Sequence, residues 1–240
     1  MSNTITTARR ARGLLTAFTA TAAAHLGSLL TDVKVVEQVT KPALMPLLAG
    51  HVRGVRGAAA GRSAAGRTAG EGSAGEGSAP RLLTPALLAS AAGDALLQLD
   101  DERAFLAGMG SFAAAHICYV TMFAKQGALT DRRRTALVAA GYALAWAVMI
   151  HQLWPGLGEL KVPVAGYSLL LAATAVTSAG LGRRGGLGGA LFLLSDTLIA
   201  TRLAGWKQLP GHEFWIMSTY LLAQYLLATA ALKAADRPTD

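Results

Sequence analysis

The hydrophobic positions of this chain gather in long runs separated by short polar and basic stretches. Eight runs stand out: residues 13–30, 35–52, 82–99, 104–124, 135–154, 162–181, 187–204 and 214–231, each 18 to 21 residues long. A helix needs about 20 residues to cross the hydrocarbon core of a bilayer. The pattern therefore predicts an all-α protein, a polytopic membrane helix bundle with eight transmembrane helices forming one integral membrane domain, 1–240. The run 35–52 is the most polar, with Glu37, Lys41, Pro42 and Pro46 inside it. It is expected either to be re-entrant or to line a cavity with its polar end, the two settings in which such a segment is tolerated.

Polar residues inside the runs are few, and two of them are acids in similar surroundings. Asp94 is the only charged residue of 82–99, LLTPALLASAAGDALLQL. The pattern returns at 189–201, GALFLLSDTLIAT, with Asp196. A carboxylate there is costly and needs a partner, a proton or a water-filled cavity. Further echoes extend the match. Lys41-Pro42 opens the second run as Lys161-Val162-Pro163 opens the sixth, and Phe112…His116 in the fourth matches Tyr220…Gln224 in the eighth. Together they point to a 4+4 parallel internal repeat, an arrangement that puts functional residues at the repeat interface and would bring Asp94 and Asp196 together.

Charge orients the bundle. With a cytoplasmic N-terminus, sixteen of the 22 Lys and Arg residues fall on the inner side. The remaining six, Lys34, Lys41, Arg103, Lys161, Arg202 and Lys207, fall on the outer side. This split follows the positive-inside rule and predicts that both termini are cytoplasmic. On that topology Asp94 lies five residues and Asp196 eight residues from the outer ends of their runs, a depth difference of about 5 Å. Glu37, Lys41, His25 and His151 reach a comparable level, so the outer half of the bundle is expected to be polar inside.

Composition narrows the class. The chain is 52% hydrophobic and 15% charged, against roughly 25% charged in soluble domains. Its net charge of +8 lies between the apolar runs and not in a basic stripe interleaved with aromatics, so no nucleic-acid partner is expected. The single cysteine, Cys118, excludes an intrachain disulfide and a Cys-based metal site. Arg9, Arg10 and Arg12 before 13–30 have the outline of a signal peptide, but with further runs behind it this segment is read as an uncleaved first helix. The stretch 53–81, rich in Gly, Ala, Ser and Arg, is expected to be a flexible cytoplasmic loop. Arginine outnumbers lysine, and alanine and glycine abound, which suggests a GC-rich bacterial genome and a bacterial inner membrane.

Two carboxylates close together in low dielectric do not both ionise readily; one held as the acid beside a charged partner suits acid-catalysed hydrolysis. Lys41 would keep the second acid ionised. His116 shares a helix face with Phe105, Gly108, Phe112 and Tyr119, where it serves either as a core residue or as a member of the site. Tyr220 and Gln224 share a face of the last run and either donate to a head group or bond between helices. No cofactor is expected. A zinc reading would draw on His25, His116, His151 and the acids, but no two histidines lie at i, i+3 or i+4 and no HExxH occurs. There is no P-loop, no dinucleotide fingerprint in a fitting context and no G-x-S-x-G.

The ordered motifs Thr40-Lys41-Pro42…Met45-Pro46-Leu47-Leu48, Leu88…Gly93-Asp94-Ala95-Leu96-Leu97 and Phe105…Gly108…Phe112…His116…Tyr119 resemble the YhhN/TMEM86 family of membrane proteins. So do Val162-Pro163…Tyr167, Gly189-Ala190-Leu191-Phe192…Ser195-Asp196 and Tyr220…Gln224. The resemblance runs from the second apolar run to the last. It implies lysoplasmalogenase activity, hydrolysis of the vinyl ether bond of a lysophospholipid to a fatty aldehyde and a glycerophospho-alcohol. It also implies that Asp94 and Asp196 are the catalytic pair. Lys41, His116, Tyr119, Tyr220 and Gln224 are the expected substrate-binding residues, with membrane lipids around the bundle. The stretch 53–81 departs from the compact family pattern, on the side away from the polar level. Two other readings use the same acids: a proton- or cation-coupled transporter or lipid-binding membrane protein, and a zinc-dependent lipid hydrolase.

Overall fold

The computed structural model describes residues 2–65 and 80–236. Within them lie eight α-helices: α1 Ser2–Thr31, α2 Lys34–Ala65, α3 Leu83–Leu96, α4 Glu102–Lys125, α5 Arg132–Leu153, α6 Lys161–Gly180, α7 Arg183–Leu203 and α8 His212–Ala235. Two 3₁₀ turns, Trp154–Gly156 and Gly158–Leu160, join α5 to α6. No strand occurs among the described residues. Each helix falls on one of the eight apolar runs, because a run without water must satisfy its backbone internally and only a helix does so within one segment.

The helices differ from the expected runs in ways that matter. Six of them, α1 and α4 to α8, are long and apolar enough to cross a membrane. The helix within 82–99 is shorter than the run. This helix, α3, has 14 residues, about 21 Å of rise. The reason lies in its polar end. The chain turns after Leu97, and Asp101 then accepts from the Ala104 amide at 2.8 Å to start α4, so Gln98, Leu99 and Asp100 become the turn. Helix α2 runs past the expected end at residue 52, through 53–65, into the stretch expected to be a loop. Residues 66–79, most of that loop, lie outside the described residues. Pro42 and Pro46 sit inside α2.

Short turns hold consecutive helices against each other. Asp32, with φ 54°, reverses the chain between α1 and α2, and Asp131 caps α5 by accepting from the Arg134 amide at 3.0 Å. Helix α8 is central: it packs against α7, α1, α2 and α3, and more than half of its apolar stretch is buried. Helix α5 lies at the edge, with most of its apolar stretch unburied. Large apolar side chains such as Leu137, Leu144, Val162 and Leu169 are exposed around the outside. An apolar surface of this extent suits lipid and not water.

Candidate active site

Asp94, near the C-terminal end of α3, is buried and accepts a hydrogen bond from the Tyr220 hydroxyl of α8 at 2.7 Å. Gly93 makes this placement feasible. A Cβ there would stand 2.6 Å from Cε2 of Phe112, so the missing side chain admits the Phe112 ring of α4. That ring meets Tyr220 edge-on, with centroids 6.0 Å apart, and Phe192 of α7 meets Tyr220 from another side at 5.5 Å. The tyrosine that serves Asp94 is thus fixed by two aromatic edges.

Asp196 stands on α7, and its Oδ2 is hydrogen-bonded to the Tyr167 hydroxyl of α6. The same hydroxyl lies 3.3 Å from Nε2 of His116, whose Nδ1 is 3.0 Å from Oγ1 of Thr174. Thr174 in turn donates to the Leu170 carbonyl at 3.0 Å. Helices α6 and α7 come close enough for this because of Gly189, where a Cβ would stand 2.7 Å from the Cα of Ala175. Beside Asp196, Ser195 donates to the Ile216 carbonyl at 3.0 Å and ties α7 to α8.

Both acids line one cavity of about 210 Å³. Its lining comes from the C-terminal parts of α3, α5 and α7 and the N-terminal parts of α2, α4, α6 and α8. That places the cavity at one end of the bundle, with successive helices running in opposite senses. Lys41 of α2 lines it too, so one cation shares the cavity with the two acids. At the rim Arg202 and Glu213, both about half exposed, form an ion pair between α7 and α8. The other walls are largely apolar, with Phe105, Met109, Met149 and Leu193 among them. A long apolar chain carrying one polar head matches such walls.

The expected site residues fall into two groups. Asp94, Asp196, Lys41 and Tyr220 converge on the cavity. His116, Tyr119 and Gln224 are fully buried and are not among its lining residues. Tyr119 donates to Gln224 Oε1 at 2.6 Å and Gln224 donates to Ser90 Oγ at 3.0 Å, a chain linking α4, α8 and α3. The histidines weighed as zinc ligands are separate. His25 bonds Thr40 at 2.8 Å, His116 belongs to the Tyr167 chain, and His151 is exposed on α5. Among the described residues no three His, Cys, Asp or Glu side chains gather as a metal site. Tyr167 lines the cavity, yet in the sequence it figured only in the Val162-Pro163…Tyr167 motif and not as an expected site residue, and Thr174 was not singled out at all. The signal available was a hydroxyl in each of two turns of α6, common in apolar helices.

Residues 36–231 match the YhhN family, a span that includes every residue of the cavity and of the hydrogen-bond chains around it. The curated relatives include lysoplasmalogenase TMEM86B of Homo sapiens, 34% identical over 153 residues covering 64% of this chain and 64% of the relative. Lysoplasmalogenase TMEM86B of Sus scrofa is 36% identical over 141 residues, 59% of each chain. Lysoplasmalogenase TMEM86A of Homo sapiens is 30% identical over 156 residues, 61% of this chain and 63% of the relative. The matched region thus spans less than two thirds of the length of these relatives. No solved structure matches the chain.

Proposed function

This chain belongs to the YhhN family, and on that premise we propose that it is an integral membrane hydrolase of lysoplasmalogens. It cleaves the vinyl ether bond, giving a fatty aldehyde and a glycerophospho-alcohol, with Asp94 and Asp196 as the acid–base pair. The single observation that carries this reading is that the two acids line one cavity, each hydrogen-bonded to a tyrosine hydroxyl. The curated relatives named lysoplasmalogenase support it at the level of the reaction.

The chemistry needs few parts. One carboxyl group protonates the β-carbon of the vinyl ether, and the ether oxygen takes up the charge as an oxocarbenium ion. The other, ionised, stabilises that cation and takes a proton from the water that adds to it. The resulting hemiacetal collapses to aldehyde and alcohol. No leaving group has to be activated separately, which suits a site with two carboxylates. The apolar walls would hold the single chain, and Lys41 the phosphate of the head group.

We read all eight helices as crossing the membrane, α3 together with the turn that follows it, since Lys41 on α2 and Asp94 on α3 share one end of the bundle with lining residues of α4 to α8. The N- and C-termini lie on the opposite, positively charged side, the cytoplasmic one. Neighbour relations favour two four-helix halves: α2–α3, α3–α4 and α4–α6 have counterparts in α6–α7, α7–α8 and α8–α2.

The test is a fatty-aldehyde assay on purified protein with a lysoplasmalogen and, as control, the matched ester lysolipid. Aldehyde should appear with the first only. Asp94→Asn and Asp196→Asn should each lower turnover on the order of 10²–10⁴-fold while the protein still inserts in the membrane. Near-wild-type turnover in both variants would overturn the paired-acid mechanism.

A further inference from the structure

Three of the chain's four tryptophans stand at the end of the bundle where the cavity opens. Trp154 follows α5, Trp206 follows α7 and Trp215 lies at the start of α8, each 41% to 49% exposed. Tryptophan rings collect where hydrocarbon meets water, so this end sits at the level of the lipid head groups. The Arg202–Glu213 ion pair shares that level, and both partners line the cavity. Beyond each other, neither side chain has a polar partner among the described residues. A guanidinium carries five N–H donors and a carboxylate two acceptor oxygens, more than their mutual contact uses. His212, next to Glu213, donates from Nε2 to the Leu198 carbonyl at 3.0 Å and so fixes the start of α8 against α7.

The spacing from the acids matches a lysophospholipid. Arg202 lies six residues beyond Asp196 on α7, a rise of about 9 Å. Glu213 lies seven residues before Tyr220 on α8, two turns along one face and about 10.5 Å. In a lysoplasmalogen, seven bonds separate the β-carbon of the vinyl ether from phosphorus. Extended chain covers about 3.3–3.6 Å per three bonds, so those seven span about 8 Å. Four further bonds, about 5 Å, lead from phosphorus to the nitrogen of an ethanolamine head. With the β-carbon at the acids, the phosphate therefore reaches the level of Arg202 and the head reaches the mouth. A carboxylate beside that arginine repels a lone phosphate, so the pair suits a ligand that brings both charges.

We propose that Arg202 and Glu213 form the head-group site: Arg202 joins Lys41 in holding the phosphate, and Glu213 holds the ammonium of an ethanolamine-type head. This rests on the hydrolase reading and names the residues that select among its substrates. The ion pair persists in the complex. Guanidinium, phosphate, ammonium and carboxylate then form a ring of alternating charges with none unmatched. An anionic head such as phosphoglycerol offers Glu213 only hydroxyl groups and sets its phosphate near an unmatched carboxylate. Arg202 thus serves any phosphate, and Glu213 makes the selection.

The test compares aldehyde release by purified protein from two lysoplasmalogens of one chain length, with ethanolamine and with glycerol head groups. The wild-type KM should be lower for ethanolamine by about fivefold or more. Glu213→Gln should raise the ethanolamine KM and cancel most of that difference, and Arg202→Gln should raise both KM values about tenfold. The losses should fall on KM more than on kcat, because neither side chain meets the reacting atoms. Exchanging the two, Arg202→Glu with Glu213→Arg, rebuilds the ion pair with its charges reversed. That protein should recover the wild-type thermal midpoint and still show raised KM values. A wild-type KM in the exchanged protein, or a Glu213→Gln variant that keeps the ethanolamine preference, would overturn the proposal and reduce the pair to a tie between α7 and α8. Binding of the two saturated ether analogues, read as a rise in thermal midpoint, repeats the comparison without turnover. Preference in binding with no aldehyde from the wild-type protein would overturn the hydrolase reading and leave the head-group site standing. Aldehyde without preference would overturn the site alone.

Discussion

Each intramembrane acid here is completed by a tyrosine from a different helix, and the polar residues around them sort by what they can touch. Lys41 reaches the cavity, so it can meet a substrate phosphate. Lys41→Met should raise KM for lysoplasmalogen by about tenfold or more, the worth of a lost charge-assisted contact, while Lys41→Arg should retain most binding. Steady-state kinetics on detergent-purified protein checks this. Tyr119 is enclosed and donates to Gln224. Tyr119→Phe leaves that amide oxygen without its donor and should cost about 1–3 kcal/mol, read as a lower thermal midpoint. The acids were legible in the sequence because a carboxylate in an apolar run demands an explanation. Tyr167 was not, since a tyrosine in such a run is ordinary and its partners lie 51 residues before it and 29 after it.

At the scale of the element, glycines set the separations on which the hydrogen bonds depend. Gly189 stands against the backbone of Ala175, and the same two helices carry Asp196 and Tyr167. Gly189→Leu should force α7 away from α6, break that pair and lower both the thermal midpoint and kcat, the latter at least tenfold. A variant with normal midpoint and turnover would mean that the helices can repack around the side chain. Eight helical segments were readable from runs of apolar residues. The shortness of α3 was less so, because Gln98 and Leu99 continue the apolar reading while the Asp101 cap claims them for the turn.

For the whole molecule, the lining of the cavity by alternate helix ends implies an up-and-down chain whose two faces differ in charge. Lys207 and Arg133 are both exposed and belong to opposite ends. With Cys118 replaced by alanine, Lys207→Cys should react with a membrane-impermeant thiol reagent in intact cells, and Arg133→Cys only after the membrane is opened. The reverse pattern would invert the orientation, and labelling of both in intact cells would break the alternation.

By itself the sequence determined the helices, the lipid-facing character of the bundle and the two acids that need companions. These follow from local composition: a run of apolar residues must become a helix in lipid, and a lone carboxylate within it stands out. Only the tertiary structure decided what accompanies each acid, Tyr220 from α8 for Asp94 and the Tyr167–His116–Thr174 chain for Asp196. It also left His116, Tyr119 and Gln224 behind the cavity wall. The physical reason is that a hydrogen bond between helices depends on rotation and separation to within a fraction of an ångström. Those are set by packing at glycines and aromatic edges far apart in the chain.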